Sequence, residues 1–153
     1  AGDYASLERF IPEQNLLPPV YNSETRREIV DSVWEYHKYI GYGKYIDTYG
    51  KPTDLKDWGR KAQLVNYDQY RSLMEGFSSR MWEWYTGVII WKTQNPWTAL
   101  RGQMYDYYLD PNACLYGLRQ GSAPLNFFYN HADTSLHLIN NGFVHQYDLM
   151  LVM

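Results

Sequence analysis

The sequence predicts an α/β region holding half of a β/α repeat, followed by the beginning of an antiparallel β domain. Three observations carry this reading. Apolar residues recur at helical spacing over residues 54–83. The run GVII at 87–90 then changes the period to that of a strand buried on both faces. Beyond Pro124, strand-like runs alternate with Asp and Asn-Asn-Gly turns.

The elements follow in chain order. The opening YASLERFIPEQNLLPP carries an amphipathic turn or two stopped by Pro12 and then by Pro18 and Pro19, which predicts a short helix and a loop. SETRREIVDSVWEYHKYI predicts a helix from Ser23, with Glu24 and Glu28 near the positive end of its dipole, and GYGKYIDTYGKP after it reads as loop. In 54–83, Leu55, Trp58, Ala62, Leu64, Val65, Tyr67, Tyr70, Leu73, Met74 and Phe77 keep the helical period behind Asp54 as N-cap, giving one long helix or two abutting ones. The apolar run that follows lies between Gly87 and the Asn95-Pro96 pair. PNACLYGLRQGSAP predicts a short helix opening at Pro111. LNFFYNHAD, TSLHLINNGF and HQYDLMLVM read as strands, too few for a sandwich of about seven. Residue 153 falls inside a strand pattern, so the expectation is a sequence that stops before its domain does. It starts at Ala1, with neither Met nor a signal-peptide pattern, which predicts a processed or partial product.

Composition narrows the function. The 153 residues, 45% apolar and 20% charged, fit one globular domain, and no apolar run approaches the roughly 20 residues of a membrane-spanning helix. A net charge of −3, with Lys and Arg scattered, offers no field for a phosphate backbone, so neither nucleic acid nor membrane is an expected partner. The single Cys114 forms no internal disulfide, and no Cys/His cluster has zinc spacing. There is no phosphate loop, GxSxG elbow or HExxH, and GYGKY at 41–45 lacks the flanking strand and helix of such a loop. No cofactor is expected. Aromatic residues make up 18%, including 16 Tyr and 6 Trp, a content that suits either sugar stacking or a Tyr-rich core.

Candidate binding groups cluster where the apolar run ends. Trp91, Lys92, Gln94, Asn95 and Trp97 follow it directly, where β/α proteins place binding and catalytic side chains. The alternative is a strand that exits into a solvated loop with one Trp packed on a helix. In WEYHKY, Trp34, Glu35, His37 and Lys38 offer an aromatic platform, a carboxylate and an imidazole, although a lone His among aromatics is more often a structural hydrogen bonder. His131, His137 and His145 share no metal spacing and receive no role. Glycosidases use two carboxylates. Of the acids here, Glu13 in IPEQN and Asp106 in MYDYYLD read as loop or capping residues.

The run MEGFSSRMWEWYTGVIIWKTQNPWTALRGQMYDYYLDPNACLYGLRQGSAPL resembles the end of the catalytic barrel of glycoside hydrolase family 2, in its mannosylglycoprotein endo-β-mannosidase branch. WEYHKY and KAQLVNYDQYRSLMEGF match the same branch, and the resemblance extends to about residue 128. DYYLDPN is also similar to the exo-β-glucosaminidases of the family, but Lys92, Thr93 and Gln94 favour the endo-β-mannosidase branch.

The resemblance implies the C-terminal portion of a (β/α)8 TIM barrel over residues 1–122, with a helix at about 54–83 and the eighth barrel strand at about 87–93. Residues 123–153 would be the first strands of an incomplete immunoglobulin-like β-sandwich, the whole being a fragment of a larger multidomain protein. It also implies a retaining hydrolase that cleaves β-mannosidic linkages in N-glycan cores, with its acid/base and nucleophile Glu upstream of Ala1. Trp91 would wall the subsite of the mannose whose bond is cut, while Lys92, Gln94, Asn95, Trp97, Trp34 and His37 would contact substrate. Implied partners are an oligosaccharide or N-glycan substrate and the remaining segments of the same enzyme, and the implied compartment is secretory, vacuolar or lysosome-like. Two alternatives stay open: an exo-β-glucosaminidase or exo-β-mannosidase of the same family, and a noncatalytic carbohydrate-binding module.

Overall fold

The computed structural model describes residues 2–150. Helix α1 (Tyr4–Leu7) opens on Asp3, whose carboxylate accepts the Ser6 N–H at 2.9 Å, and a 3₁₀ turn follows at Glu13–Asn15. The predicted helix from Ser23 does not form. Residues Val20–Asn22 (β1) and Arg27–Ile29 (β2) pair as an antiparallel hairpin. The cause is local: the Asn22 side-chain oxygen accepts the N–H groups of both Glu24 and Thr25 at 2.9 Å, and Arg26 takes a left-handed φ of 54°. Together they close a turn where a helix would have started. Helix formation waits for Asp31, which accepts the Val33 N–H at 2.7 Å and caps α2 (Ser32–Tyr36). The stretch read as loop after it contains α3 (Gly43–Ile46) and a 3₁₀ turn at Asp47–Tyr49.

The long helix forms as its period dictates. Helix α4 (Leu55–Ser78) begins at the predicted cap, with Asp54 accepting the Asp57 N–H at 2.8 Å. It stops at Ser78 rather than 83, because Ser79 turns its hydroxyl onto the Gly76 carbonyl and Trp82, at φ 70°, reverses the chain to donate its N–H to the Tyr85 carbonyl at 2.7 Å. Leu55, Trp58, Ala62 and Val65 share one buried face. They meet Leu7, Ile11, Trp34, Tyr42, Ile46 and Leu100 in the core, where the Trp34 and Trp58 rings cross edge to face at 5.2 Å. Leu64 and Leu73, on the same helical pattern, face outward at 47% and 40% exposure.

Helix α5 (Ala113–Gly121) lies against α4 closely enough to require glycine at two successive turns. A Cβ on Gly117 would stand 2.1 Å from the Tyr67 carbonyl oxygen, and one on Gly121 would stand 2.7 Å from that of Arg71. After α5, β3 (Leu125–Asn130) and β4 (Ser135–Asn140) form a regular antiparallel hairpin with Phe128 opposite His137. Asn126 and Phe128 turn inward, while Leu125, Phe127 and Tyr129 are exposed. The third predicted strand is absent over 145–150, and its last residues, 151–153, lie outside the described residues.

The run read as a strand buried on both faces differs most from expectation. None of residues 87–93 belongs to a strand, and Ile89 is 96% exposed. A strand is made by partners on its flanks, and β-branched side chains alone do not supply them. The chain downstream is also irregular but well anchored. Asn112 donates from its side-chain amide to the Gln103 carbonyl at 2.7 Å, and the Cys114 thiol donates to the same oxygen at 3.0 Å.

Two outcomes follow from this packing. Gly117→Ala forces a methyl group onto helix backbone and should lower stability by about 2 kcal/mol in denaturant unfolding. Gly76→Ala, where nothing lies within 4 Å of the new Cβ, should instead raise it by ~0.5–1 kcal/mol. Equal effects at both sites would refute the close helix contact. Burial pushes the Cys114 thiol up to about 11, so it stays protonated at pH 8. An aromatic disulfide reagent should therefore find no thiol at pH 8 in native protein and one after denaturation; rapid native labelling would contradict this burial.

Candidate functional site

The residues singled out after 87–90 divide sharply by exposure. Trp91 is 85% exposed, and Lys92 and Gln94 are exposed as well. Lys92 adopts a left-handed φ of 66°, a conformation that costs a non-glycine residue on the order of 1 kcal/mol and turns the chain sharply after Trp91. Just beyond this turn the chain is fixed again, as the Tyr105 N–H donates to the Thr93 carbonyl at 2.9 Å and Gln94 bridges Tyr105. Trp91 and Lys92 therefore project from a short protruding turn with a tethered base.

Asn95 faces the other way. It is only 6% exposed, and its side-chain oxygen accepts from the Gln103 amide at 3.0 Å. That pair, with the Asn112 bond to the Gln103 carbonyl, satisfies chain that has no ladder of its own. Asn95 thus supports the segment from inside and is turned away from the surface that carries Trp91.

Trp34 is turned inward as well. It is fully buried, its indole N–H donating to the Asn15 carbonyl at 2.9 Å, and it packs edge-on against Tyr39 and Trp58. Its role is in the core. His37, 8% exposed, is held between Phe10 and Trp97, at ring distances of 4.7 Å and 5.9 Å, with the Trp97 ring nearly parallel at 21°. His37 Nδ1 lies 2.6 Å from the Thr98 carbonyl oxygen, and since a carbonyl only accepts, Nδ1 carries the proton. The His37 carbonyl in turn accepts the Leu100 N–H at 2.7 Å. His37 and Trp97 are therefore brought together, with His37 behind the indole.

One ring at this place went unsingled in the sequence. Tyr36 is 68% exposed and stands edge-on to Trp97 at 5.9 Å and to His37 at 5.1 Å. A signal existed for it. Two positions along a helix turn a side chain by about 200°, so if Trp34 points into the core, Tyr36 points out.

The remaining candidates have structural work. The Asp106 carboxylate accepts the Tyr108 and Asp110 N–H groups at 2.8 Å and 3.0 Å and the Ser6 hydroxyl, tying α1 to the 105–110 loop. Glu13 opens the exposed 3₁₀ turn. Asp106 caps its loop and Glu13 lies in a turn, within the loop or capping roles read from sequence. His137 stacks on Phe128 at 5.4 Å and 6°, with Ser135 and Asp133 beside it. A cleft of about 670 Å³ between α1 and α4, lined by Tyr4, Lys56, Gly59, Arg60 and Tyr67 among others, involves none of the predicted site residues. The candidate site is thus an exposed surface of aromatic rings, an amide and a cation, a set suited to stacking on and hydrogen bonding with a neutral saccharide.

No protein-family profile matches the chain. Among curated proteins, the mannosylglycoprotein endo-beta-mannosidase of Lilium longiflorum is 52% identical over 119 residues, which are 74% of this chain and 12% of that protein. The exo-beta-D-glucosaminidase of Amycolatopsis orientalis is 37% identical over 95 residues, 60% of this chain and 9% of that protein. Among solved structures, the exo-chitosanase of Amycolatopsis orientalis superposes over 91% of this chain and 17% of its own, with a TM-score of 0.67 at 27% identity. The chain thus spans about a tenth of the length of the curated relatives it matches. Relatives from a plant and a bacterium agree in one group of glycosidases, and the chain belongs to glycoside hydrolase family 2.

Proposed function

We propose that the chain is the C-terminal portion of the catalytic barrel, with the start of the following β-sandwich, of a retaining hydrolase that cleaves β-mannosidic linkages in N-glycan cores. The segment supplies sugar-binding side chains, and the acid/base and nucleophile Glu lie upstream of Ala1. The observation that carries the reading is the protruding Trp91–Lys92 turn on its tethered base, in a chain 52% identical to the lily endo-beta-mannosidase. In the complete enzyme, residues 87–93 would gain strand neighbours, which accounts for β-branched residues standing in solvent here.

The chemistry fits these groups. Hydrolysis passes through an oxocarbenium-like transition state between two carboxylates about 5 Å apart. An aromatic wall stacks on the C–H face of the sugar and excludes water, while donors such as Lys92 and Gln94 hold hydroxyls whose contacts tighten as the ring flattens.

Exo-β-glucosaminidase is the second reading, favoured by the bacterial relative and the exo-chitosanase structure. Charge separates the two. A glucosamine residue carries an ammonium group, and Lys92, the charged residue next to Trp91, would repel it. An uncharged mannose has no such conflict. The complete enzyme should hydrolyse a glycopeptide carrying the N-glycan core in strong preference to a chitosan oligosaccharide, and the opposite preference would install the second reading.

Trp91→Ala in the complete enzyme should lower kcat/KM on that glycopeptide by on the order of 10²-fold, with the unfolding temperature unchanged. Activity preserved in this variant would remove Trp91 from the site.

A further inference from the structure

The GYGKY stretch at 41–45, which forms no phosphate loop, is the floor on which the β1–β2 hairpin lies. The hairpin has three residues in each strand and turns Val20 and Ile29 to solvent, at 59% and 71% exposure. Its inward pair is Tyr21 and Glu28, which face each other across the strands. Beneath that pair the chain requires glycine. A Cβ on Gly43 would stand 2.5 Å from the Tyr21 Cβ and 2.9 Å from Glu28 Oε1, and one on Gly41, at φ 77°, would stand 3.1 Å from Glu28 Oε2.

Glu28 is the group that fastens the hairpin down. Its Oε1 accepts the Tyr39 hydroxyl at 2.6 Å, the Tyr39 oxygen accepts the Tyr42 N–H at 2.8 Å, and the Gly43 N–H donates to the same carboxylate. Tyr39 in turn packs on Trp34 and Trp58 in the core. The cations nearby in the chain are engaged elsewhere or face water: Lys51 is bonded to Asp47, Lys44 lies over the Tyr45 ring, and Arg26 and Arg27 on the hairpin are exposed. Among the described residues Glu28 makes no ion pair, and the charge that acts on it is that of Asp47, which repels a carboxylate. Burial therefore raises the Glu28 pKa above the ordinary carboxylate value, and Asp47 adds to the rise, while the bonds from Tyr39 and Gly43 offset only part of it. The Tyr39 hydroxyl is itself pushed far up, by burial first and then by Glu28, and remains the donor.

We propose that Glu28 is a pH-sensitive latch, holding the β1–β2 hairpin on the 39–43 turn when its carboxyl is protonated and loosening it when the carboxylate forms. A hairpin lifted into water returns Glu28 to its ordinary acidity, so the docked hairpin binds the proton more tightly. The latch is fully engaged below the ordinary carboxylate value and is lost as pH rises through the raised one. β1 also walls a cleft of about 340 Å³ with Ile46, Pro52 and Trp58, so acid closes this cleft and neutral pH frees its wall.

The test is amide hydrogen exchange of the complete protein at about pH 7.5 and about pH 5, with each rate divided by the intrinsic chemical rate at that pH. Protection of residues 20–29 should rise about threefold or more on acidification, while peptides from α4 keep a constant protection. Glu28→Gln, which keeps the shape and removes the charge, should give these residues the same protection at both pH values, above that of the unaltered protein at the higher one. Protection that is flat or falls on acidification in the unaltered protein would overturn the latch. So would a rise shared by α4, a rise that persists in Glu28→Gln, or a Glu28→Gln hairpin protected no better than the unaltered one at the higher pH. No step of this measurement uses activity, so its outcome is independent of the hydrolase reading.

Discussion

Irregular chain enters a protein interior only if each of its polar backbone groups finds a partner, and residues 95–112 live under that constraint. The stretch has neither helix nor strand, yet Asn95, Leu100, Gln103, Met104 and Asn112 are buried. Side chains take the place of a ladder. Asn112 serves the Gln103 carbonyl, Gln103 holds Asn95, Gln63 on α4 accepts the Ala113 N–H that opens α5, and His37 fastens Thr98 and Leu100 to α2. Because these bonds reach α2, α4 and α5, the position of the candidate site is set by the helical core, although no site residue lies on the long helix.

The helices can hold the segment because they are themselves closely joined. Gly117 and Gly121 bring α5 against the backbone of α4 at Tyr67 and Arg71. Nearby, the Arg71 guanidinium donates to the mostly buried Glu75 carboxylate at 2.7 Å, one turn further along α4. That bond holds the Arg71 pKa above its ordinary value, since the carboxylate favours the charged guanidinium.

What could be read in the sequence was what local physics decides. The helix at α4 was legible because its apolar period and its Asp54 cap agree over many turns. The β3–β4 hairpin was legible from alternation and turn residues. The β1–β2 hairpin was missed because three-residue strands give no measurable period, and its one local signal, the Asn22 side chain closing a turn on Glu24 and Thr25, competes with a helix start of equal appearance. The Val-Ile-Ile run forms no strand among the described residues, because residue type records fitness for a strand while pairing is non-local. Among the site residues the types were visible and the orientations were not. Trp34 and Asn95 point inward, Tyr36 points outward, and that distinction depends on where a five-residue helix begins.

The same reasoning explains why the two exposed aromatic regions differ in character. At Trp91 the chain protrudes, strained at Lys92 and exposed on a β-branched run, and such a segment keeps its shape only through neighbours that cover it. At Tyr36 and Trp97 the rings are stacked, capped and bonded into the core of the described residues themselves. The turn at Trp91 therefore depends on what surrounds it, whereas the Tyr36–Trp97 pair is held by the helical core of the described residues.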